Sequence, residues 1–167
     1  GNFTQSTHNR SSASANLNFR KNKWNWFGNL GINKGYQETI ANNDRKLVNQ
    51  QLVQRGIEKD QFGGDNIRAG MDFAINKKTT IGFLWLRNTR FTNMDNTNLT
   101  AIQQQGILDT NVVTNSIAPN RFKRNNYNVN YRWVNGNKQS LNIDADHTQF
   151  FSGLNNQVTI QTIPSNG

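Results

Sequence analysis

The stretch Asn16–Asn33, NLNFRKNKWNWFGNLGIN, alternates apolar and polar residues on both sides of a lysine- and asparagine-rich turn, and this narrows what the chain can fold into. Folded back at Lys21-Asn22, it sets Phe19 beside Trp24, Leu17 beside Trp26, Ala15 beside Gly28 and Ala13 beside Leu30, all on one side of an antiparallel ribbon. The other side receives Asn18 with Asn25, Asn16 with Phe27, and Ser14 with Asn29. One face is greasy and the other is rich in amides. A slip of one residue would scramble both faces at once, so the agreement of two strands with their turn specifies a hairpin spanning 11–33.

The same alternation returns twice. Ile67, Ala69, Met71, Phe73 and Ile75 share a face, with Asn66, Arg68, Gly70, Asp72 and Ala74 on the other. A connection within Asn76 to Thr80 then leads to Ile81, Phe83 and Trp85, giving a second hairpin at 66–88 that pairs Ile75 with Ile81, Phe73 with Phe83 and Met71 with Trp85. Leu84 and Leu86 are apolar exceptions on the polar side. A third hairpin, 125–151, alternates Tyr127, Val129, Tyr131 and Trp133 with Asn126, Asn128, Asn130 and Arg132, turns at Val134 to Lys138, and returns through Leu141, Ile143 and Ala145 against Asn142, Asp144 and Asp146. Its same-face neighbours are Tyr131 with Leu141 and Val129 with Ile143. A short further strand is expected at 157–163 after a loop at 152–156.

Between the hairpins lie two long polar stretches, 34–65 and 89–124, expected to be loops. Within the first, Leu47, Val48, Leu52 and Val53 suit a short helix or an irregular segment equally. Tight connections thus alternate with long ones. The ascending strands also repeat a pattern, Leu17-Asn18-Phe19-Arg20, Met71-Asp72-Phe73-Ala74 and Val129-Asn130-Tyr131-Arg132, as one supersecondary unit used several times does.

With a mean hydropathy of -0.82 and 34% hydrophobic residues, a conventional core would be thin. A chain whose strands meet lipid on one face and water on the other needs apolar residues only at every second position, and low hydropathy follows. No run of about 18 apolar residues occurs, which excludes a transmembrane helix. The opening residues GNFTQSTHNR show no charged region followed by an apolar one, so an unexported chain or an internal piece of a longer precursor is expected. Six or seven strands also fall short of the smallest membrane barrels, of about eight.

Net charge of +9 raises a nucleic-acid reading, but Arg10, Arg20, Lys21, Lys23, Arg45, Lys46, Lys77, Lys78, Arg121, Lys123 and Arg124 fall mostly in turns and loops and form no helical stripe. No nucleic-acid partner is expected. Without cysteine there is no disulfide and no thiolate metal site. Asp144, Asp146 and His147 suggest a metal or acid–base cluster, yet alternation sends His147 to the opposite face. No nucleophile elbow, phosphate loop or zinc spacing is present, so no enzyme, cofactor or metal site is expected.

The aromatics Phe19, Trp24, Trp26, Phe73, Phe83, Trp85, Tyr131 and Trp133 sit near the short turns, where amphipathic rings would mark a membrane interface. Asn16, Asn18, Arg20, Asn25, Asn29, Arg68, Asp72, Asn128, Asn130, Arg132, Asn142, Asp144 and Asp146 would then line a wet interior. The fold class expected is all-β: an antiparallel meander of hairpins forming part of a transmembrane β-barrel over 1–167.

The segments ASANLNFRKNKWNWFGNLGIN at 13–33, NIRAGMDFAINKKTTIGF at 66–83 and NNYNVNYRWVNGNKQSLNIDAD at 125–146 resemble the outer-membrane β-barrel family related to TonB-dependent receptors. That resemblance implies a larger protein with a signal peptide, a β-sandwich domain, a plug and further strands, set in the outer membrane of a Gram-negative bacterium. It implies as partners the lipid, the remaining strands and plug, and a TonB-type energiser acting through the N-terminal part, with nutrient uptake as the process. A soluble or secreted β-sandwich or adhesin-like binding module, with the greasy face packed inside, is the other expectation.

Overall fold

The computed structural model describes residues 2–136 and 139–165. Every described strand belongs to one antiparallel sheet: β1 (Asn2–Lys21), β2 (Trp24–Lys46), β3 (Gln50–Asn76), β4 (Thr79–Gln104), β5 (Ile107–Asn135), β6 (Gln139–Leu154) and β7 (Gln157–Pro164). The order is β1-β2-β3-β4-β5-β6, with β7 also on β5. It is the all-β meander that the alternation implies.

The turns fall where backbone chemistry allows a tight reversal. Asn22-Lys23 closes the first hairpin with Asn22 at φ 55, a conformation asparagine tolerates better than most residues. Lys77-Lys78 closes the second, where a bulge at Ile75 lets Asn76 pair with Thr79 and Ala74 with Thr80. Gly136 begins the third turn; Asn137 and Lys138, expected there, lie outside the described residues, as do Asn166 and Gly167.

Each hairpin register differs from expectation by two residues. Phe19 faces Trp26 and Leu17 faces Gly28; Phe73 faces Ile81 and Met71 faces Phe83; Tyr131 faces Ile143 and Val129 faces Ala145. The cause is the turn, which sits one residue later in the first hairpin and spans two residues rather than five in the second. A slip of two preserves the face of every side chain, because the pleat has a period of two.

The two polar stretches correct the sequence reading more deeply. Residues 34–65 and 89–124 are not loops: they carry β2 into β3 and β4 into β5 as continuous ladder, reversing only at Leu47–Asn49 and at Gln105-Gly106. No helix forms at Leu47 to Val53; Leu52 and Val53 pair with Arg45 and Asp44. Here asparagine, glutamine and threonine occupy both faces, so nothing signals a strand, yet a neighbour already in place satisfies each backbone group.

β6 and β7 are one edge broken in two. Leu154 faces Asn120 and Gln157 faces Ile117, so the register is unchanged across the gap. Pro119 stands opposite the gap: its carbonyl accepts from the Asn155 amide at 3.2 Å, but it has no N–H to return.

The sheet is also sheared. Trp24 opens β2 facing Phe73, and β3 runs on to Asn76; Thr79 opens β4 facing Trp133, and β5 runs on to Asn135. Each short turn is therefore displaced from the last by roughly 7–10 Å over two strand spacings of about 9.6 Å. Turns lying in one plane then require strands inclined by about 35–45°, the tilt of a closed barrel.

No second layer covers the sheet, and no hydrophobic side chain is buried among the described residues. Its accessible surface is 12350 Å², against roughly 8400 Å² for a compact globule of this mass.

Candidate functional site: a wall with two faces

Registers across all the pairs put every expected interface aromatic on one face. Along the sheet, Trp24, Phe73, Ile81, Tyr131 and Ile143 form one row, and Phe19, Trp26, Met71, Phe83, Val129 and Ala145 the next. Leu17, Ala69, Trp85 and Tyr127 follow, while Trp133 and Leu141 lie nearer the turns. The rings support one another: Trp24 stacks on Trp26 at 5.7 Å between centroids and meets Phe73 at 4.5 Å. They are not sealed; Leu17 is 64% and Ile143 55% exposed.

Charge bounds this apolar band at both ends. Towards the turns stand Lys21, Lys23, Lys77 and Lys78, with Lys23 Nζ donating to the Ile75 carbonyl at 2.9 Å. At the other end Arg87 pairs with Asp65 at 3.5 Å, and Thr89 Oγ1 donates to the same carboxylate at 2.5 Å. Lys34 and Lys123 lie on that face at about the same level. From Trp24 to Ile32 the band runs roughly 27 Å along β2, or about 21 Å after tilting, close to the ~25 Å apolar height of outer-membrane barrels.

The opposite face holds every residue expected to line a wet interior: Asn16, Asn18 and Arg20 on β1, Asn25 and Asn29 on β2, Arg68 and Asp72 on β3, Asn128, Asn130 and Arg132 on β5, and Asn142, Asp144 and Asp146 on β6. The structure joins many of them sideways. Asn29 donates to Asn16 at 2.5 Å, Asn25 to Asp72 at 3.1 Å and Asn128 to Asp146 at 3.1 Å, while along β5 Asn130 donates to Asn128 at 3.4 Å. Asparagine suits this work because its amide both donates and accepts across a strand gap. Leu84 and Leu86 also sit on this face, beside Phe27 and Arg68. His147 points the other way from Asp144 and Asp146 and stacks near Tyr127, and no metal-holding cluster occurs among the described residues.

The sequence reading missed three phenylalanine–glycine pairs across strands. Phe27 covers Gly70, Phe62 covers Gly35 and Phe91 covers Gly63. A phenylalanine directly across from a glycine was available as a signal once the register was known; the ring shields backbone that glycine leaves bare. Arg68 lies 5.5 Å over the Phe27 ring and Arg121 5.4 Å over Phe91.

Two groups beyond the band titrate abnormally. The Tyr36 hydroxyl donates to Glu38 Oε2 at 2.7 Å, which holds the phenolic proton and raises its pKa. Lost solvent and then neighbouring Asp60 push the Glu58 carboxyl up, opposed by the Asn96 amide at 3.4 Å.

Set against known proteins, the chain matches no family model and no curated sequence.

Proposed function

We propose that the chain is wall from a non-enzymatic outer-membrane β-barrel of the TonB-dependent-receptor type, serving nutrient uptake in a Gram-negative bacterium. The aromatic face contacts lipid, the amide face borders the wet interior or a plug, and the unpaired edges of β1 and β6 join further strands. Energy from a TonB-type partner would enter through that plug.

The observation that carries this reading is the uncovered aromatic face, bounded by charge at both ends and borne on strands sheared to a barrel tilt. The sheet exposes roughly 4000 Å² beyond what a compact globule would. If half of that is apolar, leaving it in water costs on the order of tens of kcal/mol, more than a domain's whole net stability. Lipid removes that cost without a second protein layer, and full closure removes the unpaired edges.

The test uses the full-length protein. It should fractionate with outer membranes, need detergent in solution, and show tryptophan emission quenched by brominated lipid. A monomer that is stable without detergent and is not quenched would sink the reading and leave the soluble β module. Uptake is tested separately, by loss of growth on a limiting nutrient when the gene is deleted.

A further inference from the structure

Simple wetting of the amide face does not require the arrangement around Asn88. This residue, on β4, stands directly across from Arg124 on β5 and from Asn66 on β3, and its amide donates to the Asn66 carbonyl. Arg90 follows on the same strand and face, and Arg68 stands diagonally across on β3. By sheet spacing the Cα atoms of Arg124, Arg90 and Arg68 lie roughly 5, 7 and 8 Å from that of Asn88. The Arg68 guanidinium rests over the Phe27 ring, and a swing of that side chain toward Asn88 brings arginines from all three positions within reach of one amide.

The surface is hollowed there. A depression of about 350 Å³ is lined by Arg68, Arg124, Asn66, Asn88 and Phe122, among others. It adjoins two more that share Asn88, one lined by Arg90 and Phe122, the other by Arg90 and Arg10. No carboxylate lines any of the three. Of the acids on this face, Asp72 and Asp146 accept from Asn25 and Asn128, and Asp60, opposite Met94, stands four residues along the sheet from Arg90, roughly 14 Å away and outside all three hollows. The arginine of this region that does have a carboxylate partner, Arg87, belongs to the opposite face.

Three guanidinium groups gathered over that amide would repel one another unless something between them carried negative charge and several acceptor oxygens. A phosphate does both: each planar fork can take two of its oxygens, and the charge of about two offsets the cluster. The asparagine amides beside it are placed for the hydroxyls of whatever bears the phosphate. We propose that this trough binds a multivalent oxyanion of the phosphate-ester class as it enters from the water side. The proposal rests on the amide face being that side.

The chain contains no cysteine, so Asn88→Cys in a full-length protein otherwise free of cysteine places one thiol in the trough. Its reaction with an anionic methanethiosulfonate reagent, relative to a cationic one and normalised to a free thiol, should be favoured by about tenfold or more. Replacing Arg68, Arg90 and Arg124 together by glutamine should abolish that preference, while Arg45→Gln should keep it. Inorganic phosphate and glycerol 3-phosphate should each slow the reaction, and the one effective at lower concentration identifies the free ion or the ester as the occupant. A thiol that reacts without charge preference, does not react, or is unprotected by both phosphates overturns the site. Leu30→Cys separates the two readings: ready reaction of that thiol with both reagents in membranes defeats the lipid-facing assignment, whatever the trough does.

Discussion

On the turn side of Asp65 and Arg87 the sheet has two unlike faces; beyond them the two faces are alike. Both regions share the same strands, β2 to β5 running from one into the other, with the β3–β4 pairing interrupted at Gly64 and Asp65. In the first, side chains divide into Trp24, Trp26, Phe73 and Phe83 on one side and Asn25, Arg68 and Asp72 on the other. In the second, Glu38, Lys59 and Asp95 form a row on one face while Thr39, Glu58 and Asn96 form one on the other. The difference teaches that alternation records what each face touches, whereas strand formation needs only a partner strand. An element can therefore be regular and still be silent in the sequence.

The largest expected effect breaks this comparison directly. Leu30→Arg puts a cation on the aromatic face within the apolar band and should cost roughly 2–4 kcal/mol of barrel stability. Thr97→Arg, on the same face in the far region, should stay within about 0.5 kcal/mol. Asn29→Arg, one residue from Leu30 but on the amide face, should be mild. Folded, heat-modifiable protein in purified outer membranes measures all three, and equal losses at Leu30 and Thr97 would erase the distinction between the regions.

Glycine gives a second contrast. A methyl group at Gly70 meets the Phe27 ring and lies 2.9 Å from the Phe83 carbonyl, so Gly70→Ala should destabilise by about 1–3 kcal/mol. At Gly56 the nearest atom is the Ala41 carbonyl at 3.8 Å, an ordinary contact, and Gly56→Ala should stabilise by about 0.4–1 kcal/mol. Urea titrations of the barrel in lipid vesicles should move in opposite directions.

The turns at the two ends differ less. Gln105 holds φ 50, a left-handed conformation costly for a long side chain, so Gln105→Gly should stabilise by up to about 1 kcal/mol. Asn22→Gly, at φ 55 but already asparagine, should change the same titration by only a few tenths.

The smallest effect is a pH dependence confined to the far region. Glu58 has its folded pKa above the ordinary 4.5, so between those values the unfolded chain binds fewer protons than the folded one. Its contribution is most favourable below 4.5 and is lost as pH rises through the folded pKa. Glu58→Gln should remove this decline and raise stability at neutral pH, read as a flatter plot of urea midpoint against pH.

The same contrast explains what was legible in advance. Trp24, Trp26 and Asn25 announce their faces because neighbours in sequence have opposite surroundings. The registers were missed by two because Lys21, Asn22 and Lys23 are all plausible turn residues, and the shift leaves each face intact. Residues 34–65 and 89–124 could not be read because their strands present polar side chains both ways, which removes the period of two. Pro119, which argues against a central strand, is accommodated where β6 and β7 part. The trough stayed hidden because Arg68, Arg90 and Arg124 come from three strands and meet only once the registers are set.

From Asp65 to Gln50, β3 runs on for roughly 50 Å, which in the proposed membrane barrel would lift its end about 40 Å clear of the lipid boundary. A barrel built from such staves stands as a parapet well above the bilayer surface. Visitors from the medium, whether nutrient, bacteriophage or antibody, would touch its amide-covered crest long before any tryptophan.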